Sequence, residues 1–308
     1  MNTATRLLAV LLLLAGCATD PDAGSPCGLA KRGEVAVEAG TPVPIVTVAL
    51  PAGTGRFIFD TGAERTVIRA PSAERLKLAP IDGSRIPIAG ANGAALARLT
   101  EFAGATLGDA PLPPTRAVII ADADSRGLNG ADGSLGMDVL RRYDLDLDFP
   151  HHRVALYAGH ACPGEPLPLP GPLTDVRTPK AADFASNARD SRLYARVSLE
   201  GRPFTGLVDS GTALSLIFWE DMPQRRNPAT PGPLRDAILR GFGNSDGRAS
   251  VYQFSEYSIA GHAIPAPQLI VQTRGRPDTV QMIIGQDVLS RHRIWLSRRD
   301  ERVGVATP

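Results

Sequence analysis

Two short segments of the chain place an Asp where it can do chemistry. Phe57-Ile58-Phe59-Asp60-Thr61-Gly62-Ala63 and Gly206-Leu207-Val208-Asp209-Ser210-Gly211-Thr212 share one pattern, apolar residues followed by D-[ST]-G. An Asp on a tight turn at the end of an apolar strand aims its carboxylate out of the strand, and the Gly lets another backbone approach closely. One such turn is only a turn, its Asp capping the neighbours. Two of them meeting at a pseudo-twofold axis set two carboxylates side by side, where like charges cannot both ionise comfortably and one proton is kept over a wide pH range. Such a pair supplies one general base and one general acid around a shared water. That is the chemistry of peptide-bond hydrolysis without a metal or a covalent intermediate.

The elements that must position these residues recur with them. Asp60 and Asp209 are 149 positions apart, and a second pair of segments, Ser134-Leu135-Gly136-Met137-Asp138-Val139-Leu140 and Ile283-Ile284-Gly285-Gln286-Asp287-Val288-Leu289, has the same offset. A turn residue accounts for neither the constant offset nor the second pair. Upstream, Val46, Val48 and Leu50 alternate as Ala195, Val197 and Leu199 do, which predicts a half-buried strand before each D-[ST]-G. Downstream, each G-x-D-x-L leads into strand, turn and strand: Asp144 to Phe149 and Arg153 to Tyr157, then Arg293 to Leu296 and Arg302 to Ala306. Asp138 and Asp287 are read as helix N-terminal residues favoured by the dipole, not as catalytic groups.

At these residues the chain resembles the pepsin-retropepsin superfamily of aspartic proteases. Asp60-Thr61-Gly62-Ala63-Glu64-Arg65-Thr66-Val67-Ile68 is similar to the retropepsin active-site segment, with Asp209-Ser210-Gly211 as its second-lobe counterpart. Leu135-Gly136 and Ile284-Gly285 resemble the family's hydrophobic-hydrophobic-Gly motif, which packs beside the catalytic loop. The resemblance covers most of residues 45 to 157 and 193 to 306. It implies an all-β, bilobal pseudo-twofold acid-protease fold with few short helices, and an aspartic endopeptidase in which Asp60 and Asp209 form the dyad and activate a water. Thr61 and Ser210, with Gly62 and Gly211, would support the two loops by hydrogen bonds across the axis. Gly90, Ala91, Asn92 and Gly93 would lie at a flap over a peptide or protein substrate. No cofactor and no metal are implied, and one chain supplies both halves of the site, as expected of a monomer. The flap segment lacks the Tyr of pepsins, its Gly-rich tip being closer to retropepsins, which assemble their site from two chains. The alternative of a different class is a catalytically silent retropepsin-like module that binds peptides or cell-wall components in the same cleft.

The organisation read from the chain is a signal peptide over 1–16, a tether over 17–33, a first lobe over 34–157, a Pro/Gly-rich connection over 158–190 and a second lobe over 191–308. Helices are expected at Ala70 to Leu76, Asp138 to Arg142, Pro233 to Arg240 and Asp287 to His292. Hairpins are expected at Ile86 to Gly93 and Leu239 to Asn244. Arg6 and the apolar run Leu7 to Leu14 have the layout of a secretion signal, too short to span a bilayer as a stable helix. The run closes in Leu14-Ala15-Gly16-Cys17, which resembles the lipobox of bacterial lipoproteins, where cleavage leaves the Cys acylated. An exported, membrane-anchored lipoprotein facing the periplasm or cell exterior follows; a plain signal peptide with an incidental Cys is the alternative. Cys27 and Cys162 remain as an even pair in an oxidising compartment, compatible with a disulfide or with two reduced thiols.

Composition closes off other classes. The 308 residues carry 33 Lys+Arg against 32 Asp+Glu, a net charge of +1, so there is no electrostatic footprint for nucleic acid. With 43% hydrophobic and 21% charged residues, wholesale disorder and a polytopic membrane protein are excluded, and 31 Gly with 27 Pro suggest many turns between short strands. Gly243-Asn244-Ser245-Asp246-Gly247 satisfies G-x-S-x-G, but no buried strand precedes it and no helix follows, so it is read as a hairpin tip. Asp144, Asp146 and Asp148 alternate like the opening of a calcium loop. Phe149 stands where that loop needs Gly, which leaves a polar strand face. The five His are scattered and form no metal motif.

Overall fold

A computed structural model describes residues 27–90, 93–162, 165–169, 173–177, 191–222, 232–239, 241, 247–259, 261–265, 267–272 and 280–306. The signal segment, Cys17, Ala91, Asn92 and Ser245 lie outside the described residues. Among the described residues the strands form two sheets of nine and one of six. In spatial order the first nine-stranded sheet runs Ile86–Gly90, Gly93–Phe102, Thr115–Ile120, Val67–Arg69, Gly133–Leu135, Gly53–Phe59, Ile45–Leu50, Thr106–Leu107 and Ala110–Pro111. The second repeats that order with Arg235–Leu239, Gly247–Gln253, Gln268–Gln272, Leu216–Phe218, Met282–Ile284, Arg202–Val208, Tyr194–Leu199, Tyr257–Ile259 and His262–Ala263. The internal repeat of the sequence is thus a repeat of topology.

Alternation explains the outer strands of this arrangement and unbroken apolarity the inner ones. Ile45–Leu50 buries Val46, Val48 and Leu50 while Thr47 and Ala49 face out, and it pairs antiparallel with Gly53–Phe59. The Phe57-Ile58-Phe59 end of that partner is buried on both faces, because Gly133–Leu135 lies parallel along its other edge. Arg202–Val208 is held the same way between Tyr194–Leu199 and Met282–Ile284. Each strand therefore delivers its terminal Asp from the middle of a sheet.

The six-stranded sheet joins the two halves. Asp144–Asp148 pairs antiparallel with Arg153–His160 and, across the pseudo-axis, with Arg293–Ser297. Gly28–Ala36, which begins in the stretch read as a tether, pairs along Arg153–His160. Leu173–Arg177, from the Pro-rich connection, pairs along Arg302–Ala306 at the opposite edge. A disulfide joins Cys27 to Cys162 with Cα atoms 4.8 Å apart, pinning the first edge strand to the chain leaving its partner. One apolar cluster runs from Val46, Phe57 and Phe59 through Leu145 and Ile294 to Val208 and Ile284, so both lobes and the joining sheet share a core.

Helices form at Ala70–Arg75, Met137–Leu140 and Gln286–Leu289. Among the described residues no helix is long and apolar enough to cross a membrane. The helix expected over Pro233 to Arg240 is absent: Arg235–Leu239 is a strand in register with Gly247–Gln253. Five residues with no apolar face to bury as a helix take the conformation their pairing partner imposes. The Asp144, Asp146 and Asp148 face also departs from expectation. All three are buried rather than solvated; Asp146 pairs with Arg293 through Nε at 2.8 Å and Nη2 at 2.5 Å, and Asp148 receives Arg153 and His151.

Candidate active site

Asp60 and Asp209 follow Phe59 and Val208, the last residues of two central strands, and each amide is fixed by the neighbouring parallel strand: Asp60 N–H donates to Leu135 O and Asp209 N–H to Ile284 O. The turn that follows bends back on the carboxylate. Gly62 and Ala63 N–H donate to Asp60 Oδ1, each at 3.0 Å. Gly211 N–H donates to Asp209 Oδ1 at 2.9 Å, and the Thr212 hydroxyl to Oδ2 at 2.7 Å. These local bonds lock each side chain against its own loop.

The residues after each Asp interlock with the opposite lobe. Thr61 N–H donates to Ser210 Oγ at 3.0 Å, Ser210 N–H donates to Thr61 Oγ1 at 3.1 Å, and the two hydroxyls donate onward to Val208 O at 2.7 Å and Phe59 O at 2.5 Å. Every one of these groups is buried, so the four bonds form a closed network in which each donor and acceptor is satisfied. Both positions need a small hydroxyl residue, able to donate and to accept within one turn.

The two glycines leave room for the opposite carboxyl. A Cβ on Gly62 would fall under 3.0 Å from the carboxyl carbon and both oxygens of Asp209, and one on Gly211 would stand the same way against Asp60. The sequence pattern correctly demands Gly here, although the neighbour needing the space is a side chain and not a backbone. Each carboxyl thus sits against the loop that carries the other. Burial, then the charge of Asp209, pushes Asp60 well above the ordinary carboxylate range against its two amide bonds. Burial also raises Asp209, offset by the Thr212 hydroxyl, the Gly211 amide, Asp60 and the Arg192 charge. Burial and the neighbouring like charge both favour a proton held between the two carboxyls.

A second ring of residues holds the loops from behind. Gly136 and Gly285 pack so closely that a Cβ would collide with the backbone of Arg65 and Leu214. Asp138 Oδ1 accepts from Thr66 N–H at 2.9 Å, Thr66 Oγ1 at 2.8 Å and Val139 N–H at 3.1 Å. Asp287 Oδ1 accepts from Ser215 N–H at 2.8 Å, Ser215 Oγ at 2.7 Å and Val288 N–H at 3.1 Å. Both Asp occupy the first helical turn as their sequence context indicates, but their carboxylates serve the segments that follow the two D-[ST]-G turns. Sequence reasoning missed that role. The signal was present, since Thr66 and Ser215 recur at the same offset as the Asp residues they bond.

Gly90 and Gly93 face one another at the end of the hairpin formed by Ile86–Gly90 and Gly93–Phe102. Its second-lobe counterpart is the Arg235–Leu239 and Gly247–Gln253 hairpin. Leu96 and Ile238 on these hairpins are exposed large apolar side chains.

Residues 46–139 match a family model described as aspartyl protease. Among curated proteins no match to the chain is found. A solved structure, that of an aspartic proteinase from Irpex lacteus, is similar over 91% of this chain and 97% of its own, with a TM-score of 0.53 at 14% sequence identity.

Proposed function

We propose that the chain is an aspartic endopeptidase whose dyad is Asp60 and Asp209, a reading supported by the aspartyl protease family match over residues 46–139 and by the fold it shares with an aspartic proteinase. The observation that supports the reading is the seating of each carboxyl over the opposite loop's glycine, one ionisable group from each lobe. In the reaction, the ionised carboxylate takes a proton from a water as its oxygen attacks the scissile carbonyl carbon, and the protonated carboxyl gives its proton to the carbonyl oxygen. The tetrahedral diol then returns one hydroxyl proton to the Asp that gave its proton to the carbonyl oxygen, while the amide nitrogen takes the proton that the other Asp drew from water; the C–N bond breaks, and the dyad regains its single proton. Water supplies both the new carboxyl oxygen and the amine proton, so no cofactor enters. The Ile86 to Gly93 hairpin is the candidate flap, and one chain provides the whole site. The test is incubation of the purified chain with a denatured protein in the presence of a chelator: internal peptide-bond cleavage is expected, and no cleavage between pH 3 and 8 would overturn the reading.

We also propose export and anchoring through acylated Cys17. The Cys27–Cys162 disulfide supports an oxidising compartment. Cys17→Ser should move the protein out of the detergent phase on partitioning; unchanged partitioning would contradict the anchor.

A further inference from the structure

The chain enters the described structure at Cys27, ten residues after Cys17, and is clamped there by the disulfide to Cys162. Fully extended, that stretch spans at most about 35 Å. The disulfide keeps the tether from lengthening by peeling away the strand that starts at Gly28. A lipid on Cys17 would therefore hold one particular corner of the molecule near the membrane.

That corner is basic. The Gly28–Ala36 strand carries a bulge between Lys31 and Gly33, and Arg32 is the extra residue, unpaired in the ladder and exposed. A bulge re-aims the side chain it inserts. Arg141 and Arg142, also exposed, follow the Met137–Leu140 helix. The two segments meet at Tyr143, whose hydroxyl donates to Pro111 O and whose phenol lies close enough to Arg32 and Arg142 for both charges to act on it. Among the described residues the guanidinium groups of Arg32, Arg141 and Arg142 have no ion-pair or hydrogen-bond partner. Two acids border them. Glu34 is taken up by Lys31 and, at 3.9 Å, by Arg153. Asp109 is exposed in the turn after Gly108, which packs against Glu34 O. With Lys31 included, four cations stand against two carboxylates.

We propose that Arg32, Arg141 and Arg142 form a docking face for an anionic phospholipid surface, holding the first lobe by one edge with the Ile86 to Gly93 hairpin turned to solution. Guanidinium suits the task, since it stays charged and its planar fork pairs two phosphate oxygens at once. The orientation follows from the sheet. Gly33 packs so closely on Ala110 N and Leu107 O that a Cβ would overlap them. Ala110–Pro111 is the strand at one end of the first nine-stranded sheet, and Ile86–Gly90 is the strand at the other. A membrane pressed on Arg32 and Arg142 thus leaves the hairpin edge clear for substrates arriving from solution. The proposal rests on the acylated Cys17 for one contribution only: a short tether confines the patch at high effective concentration beside the headgroups, so a weak contact suffices to set the orientation. The affinity of the patch itself is independent of the anchor.

The test uses residues 17–308 with Cys17→Ser, which keeps every described residue and carries no lipid. Its flotation is measured with vesicles of phosphatidylglycerol mixed into phosphatidylcholine and with vesicles of phosphatidylcholine alone. Binding to the mixed vesicles, weakened by salt, is expected, and none to the neutral ones. Arg32→Glu combined with Arg142→Glu should weaken binding about 25-fold, at about fivefold for each cation lost beside an anionic surface. Arg85→Glu combined with Arg196→Glu makes the same change of net charge at exposed positions elsewhere and should leave binding in place. Thermal midpoints show that both variants are folded. Absence of binding, an equal loss in the two double variants, or binding to neutral vesicles that Arg32→Glu with Arg142→Glu leaves unchanged would overturn the proposal. Competition by soluble polyphosphate as tight as the vesicle binding would overturn it too, assigning the patch to free phosphate. Neither turnover nor acylation enters the readout. A chain that docks this way and cleaves nothing contradicts the peptidase reading alone, and one that docks with no lipid on Cys17 contradicts the anchor alone.

Discussion

At the scale of single residues, the site depends on what is absent as much as on what is present. Gly62 and Gly211 have no side chain because the opposite Asp occupies that volume. Adding one methyl at either position forces the two lobes apart at the point where four buried hydrogen bonds join them. Gly62→Ala and Gly211→Ala are each expected to destabilise the chain by about 2 to 4 kcal/mol and to abolish hydrolysis, since a buried overlap against a hydrogen-bonded group cannot relax without breaking the network. Chemical denaturation alongside a cleavage assay checks this, and an alanine variant of wild-type stability would refute the packing described. The two Asp, the flanking hydroxyls and these glycines were all legible in the sequence because each recurs at a fixed offset. The bonds of Gln286 to Ser210 O and of Thr212 to Asp209 were not, because both residues depart from the repeat and a departure gains meaning only once its contacts are visible.

At the scale of elements, each D-[ST]-G loop is stapled to a four-residue helix by one carboxylate. Asp287 accepts two bonds from Ser215, and Ser215 Oγ accepts the Gly285 N–H at 2.9 Å, so strand end, loop and helix start are a single hydrogen-bonded unit. Asp138, Thr66 and Gly136 repeat it in the first lobe. Asp138→Ala and Asp287→Ala should each cost about 2 to 4 kcal/mol, because several buried donors lose their acceptor at once. Denaturant titration measures it; a loss below about 0.5 kcal/mol in both variants would show that the staple is redundant. The strand alternation before each Asp and the first-lobe hairpin over Ile86 to Gly93 could be read directly from residue patterns. The Arg235–Leu239 strand could not, since its conformation comes from pairing with Gly247–Gln253 rather than from its own periodicity.

At the scale of the whole molecule, the six-stranded sheet joins the two lobes. Its central strand buries three Asp, two of them paired with basic side chains. The third, Asp144, is raised by burial to about 7, only partly offset by Ser297, and its Oδ2 has no hydrogen-bond partner. A carboxyl with a raised folded pKa binds its proton more tightly folded than unfolded. Stability from this group is therefore present at low pH and is lost as pH rises from about 4, where the unfolded chain ionises, to about 7. Asp144→Asn should match wild type below about pH 4 and exceed it by roughly 2 to 4 kcal/mol above pH 7. A stability difference independent of pH would contradict the assignment. The joining sheet also sets the geometry on which the central claim stands, that Asp60 and Asp209, one from each lobe, form one catalytic pair within a single chain. The most direct measurement is the cleavage rate of a denatured protein by Asp60→Asn and Asp209→Asn, each shown by thermal midpoint and near-UV circular dichroism to be folded. Both variants are expected to lose at least about 10³-fold in kcat/KM, whereas a folded variant of either Asp that retains near-wild-type turnover would contradict the claim.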